Sequence, residues 1–322
     1  RGSMDANLQF WRTEGQSFFQ RFRLWVDAFD PLLLLKSPDE IRGARLLLEK
    51  AVKTPSEPLQ NDQTKQAFLL SLSSVHPDTD KIIPVLFRPP LFLPISLPLV
   101  ILSTLQFQAK QTFFYQFVFH TYTTGFTLLN GNATTKAEEY SVQDKQIFYS
   151  LGAISYAAFI GALPLVFMNR YTSKSSLAEL MARKVLPAPL FGLMSAFTVV
   201  VVRGPEFEHG IKVMDRNGKV VGVSQKAGEK AVKETALSRG VLFGTTFLLP
   251  AVLMHFVERA KVAKTHRALA SIRMLLITSV LGGMLPVSFS MFPQCGQIKR
   301  EDLEPEIVSS TEETELFYNR GI

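Results

Sequence analysis

Six stretches of this chain run for 18 residues or more without one Asp, Glu, Lys or Arg: 89–109, 111–135, 146–169, 185–202, 240–257 and 274–298. A helix needs about 20 mostly apolar residues to cross the roughly 30 Å hydrocarbon core of a bilayer, so each stretch is a candidate membrane span. A single such stretch also fits a buried core helix. Six of them, with the charges confined to the connectors, describe a multi-pass membrane protein whose first partner is the lipid bilayer. The expected fold is an all-α membrane bundle of about five, possibly six, transmembrane helices.

A polar segment of about 85 residues precedes the first window. The division expected is Arg1-Gly2-Ser3 as an expression-tag remnant, an N-terminal helical module over 4–88, a transmembrane bundle over 89–298, and an acidic C-terminal tail over 299–322. The first window lies too far along the chain for a secretory signal peptide. Asp5 and Glu14 do not suit a cleaved mitochondrial presequence, so targeting information is expected inside the mature chain. The net charge of +7 is spread over connectors without a long basic run, which excludes nucleic acid as the expected partner.

Cys295 is the sole cysteine, so neither an intramolecular disulfide nor a four-thiolate iron–sulfur ligand set can form within one chain. His76, His120, His209, His255 and His266 show no paired metal-ligand spacing. No phosphate-binding loop, dinucleotide fingerprint or nucleophile elbow is present. No enzyme, cofactor or metal site is expected.

Within the N-terminal module, 7–27 carries apolar residues at helical spacing, with Phe18, Phe22, Trp25 and Val26 on one face. That face suits packing within the module or a helix lying in the membrane interface. Ser37-Pro38-Asp39-Glu40 is a helix start with a capping box, and Pro55 and Pro58 end that helix near Lys53. A further helix is expected from Asp62 to Ser74, ending at His76-Pro77. In the membrane part Ala153, Ala157 and Gly161 repeat every four residues, a stripe that lets helices approach closely in lipid. Pro164, Pro250 and Pro286 sit inside windows, where a proline frees a backbone carbonyl. Between windows four and five, Ile211–Asp215 and Lys219–Val223 flank Asn217-Gly218, a β-hairpin signal with a type I′ turn, and Ser224 can cap a helix that feeds the fifth window.

Connector charge suggests an orientation. Segments 170–184 and 258–273 carry +3 and +4, whereas 136–145 carries −1 and the tail 299–322 carries −4. The positive-inside rule places the first pair on one face and the tail on the other. Segment 203–239, at +3, breaks the pattern. Windows one and two are ambiguous, because four prolines interrupt the first and the second is unusually polar. As one effective span they give five crossings, the preferred count, with termini on opposite faces; as two they give six, with both termini on one face.

Four short motifs in order resemble the sideroflexin family of mitochondrial inner-membrane proteins, over nearly the whole chain. His76-Pro77-Asp78-Thr79-Asp80 matches the family's His-Pro-Asp-Thr-Gly. The family's polar block aligns with 116–132, where Gln116, His120, Thr123, Thr127, Asn130 and Asn132 are the polar residues on a possible substrate path. Gly210-Ile211-x-Val213-x-Asp215-x-Asn217-Gly218 matches its hairpin, and Tyr318-Asn319-Arg320-Gly321-Ile322 matches its ending. The chain departs at Asp80, a glycine in the family, and at Phe119, Thr123 and Thr127, which replace asparagines. At Gly131 it replaces an arginine, and at 199–205 it reads Val-Val-Val-Val-Arg-Gly-Pro. The departures are most like the fourth vertebrate paralogue.

The family resemblance implies amino-acid transport, with serine the best-known substrate and a small amino acid as partner. Resemblance to the fourth paralogue implies support of respiratory complex I assembly, with assembly intermediates or assembly factors as partners, and an indirect part in iron–sulfur and iron homeostasis. A zwitterion in the membrane must have its charges met by polar groups. Phe119 forms no hydrogen bond and threonine cannot offer the two-ended pairing of asparagine. The assembly role is therefore the first expectation and transport the alternative, in the mitochondrial inner membrane with the tail toward the intermembrane space.

Overall fold

The computed structural model describes residues 2–54, 59, 61–134, 140–170 and 176–322. The N-terminal module is built from capped helices. Asp5 accepts from Asn7 N–H and starts α1 (Ala6–Glu14); Ser17 and Gln20 form a capping box that starts α2 (Phe18–Ala28). The stretch 7–27 is thus two helices, because Gly15 ends the first and Ser17 offers its side chain to a new N-terminus. Arg21 bridges the break, donating to the carbonyls of Gly15 and Gln16 and, through Nε, to that of Ser290 at 2.9 Å. After a 3-10 turn at Pro31–Leu35 come α3 (Pro38–Lys53), with its Ser37–Glu40 box, and α4 (Asp62–Ser74), both with the bounds the caps and prolines predict. Phe10 stacks on Phe68 at 4.0 Å, and Trp11 and Trp25 lie 5.5 Å apart, giving the module a buried aromatic core.

The bundle begins with α5 (Pro89–Leu105), continuous despite Pro94 and Pro98, and α6 (Ala109–Asn130). A short turn at 106–108 reverses the chain between them. Windows one and two are therefore two helices running in opposite directions, part of the all-α membrane bundle expected from the sequence. α7 (Tyr140–Arg170) follows, then the short α8 (Ser176–Leu180), a π-type turn at Met181–Val185 closed by Leu186 N–H on the Met181 carbonyl at 2.8 Å, and α9 (Pro187–Val202). After α10 (Gly204–His209) and the hairpin come α11 (Gln225–Arg259) and α12 (His266–Ser290). Among the described residues four helices are long and apolar enough to cross a bilayer: Val142–Arg170, Met181–Val202, Gln225–Arg259 and His266–Ser290; α5 is a shorter apolar helix.

The helix stripe at 153–161 is used as expected. Ala153 and Ala157 are buried, and Gln116 of α6 lies so close over Gly161 that a β-carbon there would collide with its amide. At 35 residues α11 is about 52 Å long, beyond the bilayer core, so its first turns stand outside the membrane.

The hairpin strands β1 (Ile211–Met214) and β2 (Val220–Ser224) pair antiparallel, but they are half of a larger sheet. The tail supplies β3 (Cys295–Lys299), then the short α13 (Pro305–Ser310) and β4 (Glu315–Asn319), and the strand order is β2-β1-β4-β3. The window 274–298 accordingly ends as helix at Ser290, and its last residues are a strand. The turn also differs from the expected one. A type I′ turn needs positive φ at two residues, whereas here only Gly218 has it, at 81°, with Gly218 N–H on the Asp215 carbonyl at 3.0 Å. It is a three-residue turn closed by a left-handed glycine.

Helix direction sorts the connectors into two ends. Asn169 reaches the Phe107 carbonyl, and Lys184 and Arg273 pair with Glu258. Arg170, 176–184 and 258–273 thus share the end opposite the tail, in line with the connector charges. At the other end the N-terminal module, the sheet and the tail join: Met4 N–H donates to the Gly218 carbonyl at 2.7 Å, Ser3 bridges Lys219, and Ile322 N–H donates to the Asn130 carbonyl at 3.1 Å. Both termini lie in this head.

Candidate functional site

Three of the four motifs meet where the head joins the bundle. The loop after α4 carries His76, whose Nδ1 accepts from Asp78 N–H at 3.1 Å while Nε2 sits 2.7 Å from the Gly131 carbonyl. The first bond leaves Nε2 to carry the proton and donate to Gly131. Asp78 Oδ2 accepts from Ala133 N–H at 2.9 Å, so the motif clasps the segment leaving α6. Pro77 follows the end of α4, and Thr79 Oγ1 accepts from Lys81 N–H at 3.4 Å. Asp80 adopts φ 54°, the left-handed conformation that suits the glycine found there in the family, and its carboxylate accepts from Arg45 Nη2 at 3.0 Å. Arg45 also pairs with Asp5, tying α3 to the start of α1.

Beside the clasp lies a buried polar network centred on Arg203. Its Nε and Nη2 donate to the two Glu206 oxygens at 2.5 and 2.6 Å, Nη1 donates to Thr235 Oγ1 at 2.8 Å, and Nη2 also donates to the Arg320 carbonyl at 2.5 Å. Asn132 Nδ2 donates to Glu206 Oε1 and to the Asn319 carbonyl. Arg320 in turn donates to Gln294 Oε1 at 2.6 Å and to the Phe289 carbonyl, and Gln294 Nε2 donates to the Gly321 carbonyl. Gly321 has φ 75°, and a β-carbon there would meet the Arg203 guanidinium at 2.9 Å, so both the backbone and the space demand glycine. Burial lowers the Arg320 pKa to about 10. The tail motif is thus threaded into the molecule rather than displayed.

The remaining motif stays separate. Asp215 Oδ1 accepts from Lys219 N–H, Asn217 stands in the turn, and Gly218 holds Met4. Their role is to shape a turn that captures the N-terminal segment.

The polar block is divided. Asn130 and Asn132 belong to the head junction, where Asn130 Nδ2 donates to the Phe87 and Phe126 carbonyls. Thr123 and Thr127 donate to carbonyls of their own helix. Phe119 is fully buried with Phe191 and Phe243 at 4.9 and 4.8 Å. His120, fully buried and 5.7 Å from Phe191, has no partner for either ring nitrogen among the described residues. Gln116 instead lines a cavity of about 260 Å³ that reaches the end of the bundle bearing 170–184 and 258–273, bounded by Pro164, Pro187, Pro250 and Phe247. Gln116 Oε1 and Thr112 Oγ1 in its wall are buried without partners among the described residues.

Sequence reasoning missed Arg203, Glu206, Thr235 and Gln294. A lone arginine ending the run Val199–Val202 was the available signal, since a charge beside a membrane segment is retained for a partner. Among the described residues no group of three or more His, Cys, Asp or Glu is gathered to hold a metal ion.

Four bilayer-length apolar helices, an antiparallel helix pair and an extramembrane head define a polytopic α-helical membrane protein. The threaded Asn-Arg-Gly ending, the His-Pro-Asp-Thr clasp and the hairpin are the motifs by which the chain belongs to the sideroflexin family, whose model, described as Sideroflexins, matches residues 5–322. The chain is 48% identical to Sideroflexin-4 of Danio rerio over 99% of its length and all of that protein. It is 36% identical to human Sideroflexin-4, with 99% and 93% covered, and 31% identical to human Sideroflexin-5, with 97% and 91% covered. No solved structure matches it.

Proposed function

We propose that this chain is a mitochondrial inner-membrane protein that supports assembly of respiratory complex I, and through it iron–sulfur and iron homeostasis. The observation that carries this reading is the head. Segments from the start, middle and end of the chain are joined into one extramembrane body by the Arg203 network and the His76 clasp, a platform on which a membrane-arm intermediate can be held. The polar block adds support. Phe119, on α6 between Gln116 and Asn130, packs against Phe191 and Phe243 where the family block has an amide, and Thr123 and Thr127 donate their hydroxyls to their own helix. The test is native gels of knockout mitochondria with and without serine and glycine. Loss of complex I ahead of the other complexes, persisting with the amino acids present, is the expected result; full rescue by them would overturn the reading.

The second reading is transport of a small amino acid, favoured by the cavity under Gln116 with its unpartnered Gln116 and Thr112 oxygens. Robust serine uptake by vesicles containing the unmodified chain would establish it.

A further inference from the structure

The surface of the N-terminal module carries an apolar patch that neither the clasp nor the network uses. Phe19 and Val26, seven residues apart on one face of α2, are 76% and 47% exposed. Just beyond α2, Pro31-Leu32-Leu33-Leu34-Leu35 is five consecutive apolar residues in a 3-10 turn, with Leu32 65% and Leu35 79% exposed. Single exposed apolar residues are ordinary, but a contiguous patch marks an interaction surface.

What covers the patch follows from its neighbours. The opposite face of α2 rests on the last turn of α12: Trp25 and Phe29 lie 5.0 and 5.2 Å from Phe289, and Arg21 holds the Ser290 carbonyl. The turn packs against α5, and Leu33 joins the same apolar cluster as Leu93 and Leu97. α5 and the head-end part of α12, 274–290, carry no charge and belong to a bundle that spans the membrane, so the patch continues their apolar surface at the head end. Arg23, on the same face between Phe19 and Val26, and Lys36, just after Leu35, are both exposed, and their long side chains can reach up to phosphate groups while the apolar side chains sit below them.

We infer that the outer face of α2 and the turn Pro31–Leu35 are seated in the bilayer at the boundary between headgroups and acyl chains, and hold the N-terminal module to the membrane. The exposed Leu46 and Leu47 of α3 are not part of this anchor, because α3 packs on α1 and α4.

The sole cysteine makes the test direct. Cys295 is buried, so Cys295→Ala gives a background in which Phe19→Cys, Val26→Cys, Leu32→Cys, Leu35→Cys, Lys50→Cys and Glu312→Cys are labelled singly with a nitrobenzoxadiazole fluorophore. The full chain is reconstituted in vesicles of phosphatidylcholine and phosphatidylglycerol. The four patch labels are expected to emit to the blue of the Lys50 and Glu312 labels. Lipids carrying a nitroxide near the headgroup end of the acyl chain should quench them, and iodide in the buffer should not. Iodide quenching at Leu32 and Leu35 equal to that at Glu312 would overturn the inference. So would protection from iodide without quenching by the lipid nitroxide, which would assign the patch to a protein contact. Because the replaced side chains are exposed, the labels leave the buried core intact, and retained protection of the Arg21–Ser290 corner from proteolysis verifies folding.

Discussion

At the residue scale, charge pairing in the head carries the largest predicted effects. Arg203→Met leaves Glu206 buried without its cation and removes a tie to the Arg320 carbonyl, and breaking such a pair costs about 3–5 kcal/mol. A large drop in the melting temperature of the purified chain is expected, with loss of the tail's protease resistance. Asp80 offers a finer contrast. Its left-handed backbone costs an ordinary side chain about 1 kcal/mol, which its ion pair with Arg45 offsets. Asp80→Gly should melt near the unmodified chain, whereas Asp80→Ala, with the strain and without the pair, should melt lower. Burial pushes the Cys295 thiol up from 9.0 to about 12. A raised folded value means its contribution is complete below pH 9 and is lost as pH rises toward 12, at about 1.4 kcal/mol per pH unit. Stability should fall across that window, and Cys295→Ala should flatten the fall. Legibility at this scale was uneven. Ser37, Glu40 and Pro38 announced their helix because a cap is a local contact, but the Arg203 network was hidden because, beyond Glu206 three residues on, its partners lie 32 and 117 residues away.

At the scale of elements, the close approaches between helices predict two opposite outcomes for the same substitution. A β-carbon at Gly228 would lie 2.0 Å from the Glu206 carbonyl oxygen, which is backbone, so Gly228→Ala must push α11 off α10 and should strongly destabilise the chain. At Gly161 the colliding group is the end of the Gln116 side chain, which can swing aside. Gly161→Ala should therefore melt close to the unmodified chain while altering the cavity wall. Thermal melts of the two variants side by side check both expectations. In α6, changing Phe119, Thr123 and Thr127 together to Asn removes one ring of the Phe119–Phe191–Phe243 cluster and adds amides, and serine uptake in vesicles should rise. The helices were readable from charge-free windows and prolines. The sheet was only half readable: Asn217-Gly218 marks a local turn, but Cys295–Lys299 begins inside the last apolar window and pairs with a strand across an acidic tail. Nothing in either segment alone states that pairing.

At the scale of the whole molecule, the reversal between α5 and α6 decides the topology. That single turn makes the number of passages between the two ends even and brings both termini into one head, where the His76 clasp, the Gly218–Met4 bond and the Arg203 network join them. Connector charge already set 170–184 and 258–273 against the tail; the side of the N-terminus depended on whether two ambiguous windows were one span, which composition does not state. The head is central both to the fold and to the proposed role, and protease protection in intact mitochondria, mitoplasts and lysed membranes tests it most directly. Epitopes ahead of Met4, at Glu312 in the tail and at Lys261 in the 258–273 connector suffice. The N-terminal and Glu312 epitopes should be cleaved at the same stage, in mitoplasts if the tail faces the intermembrane space, and the Lys261 epitope at a different one. Cleavage of the N-terminal epitope together with Lys261, apart from Glu312, would contradict a head built from both ends of the chain.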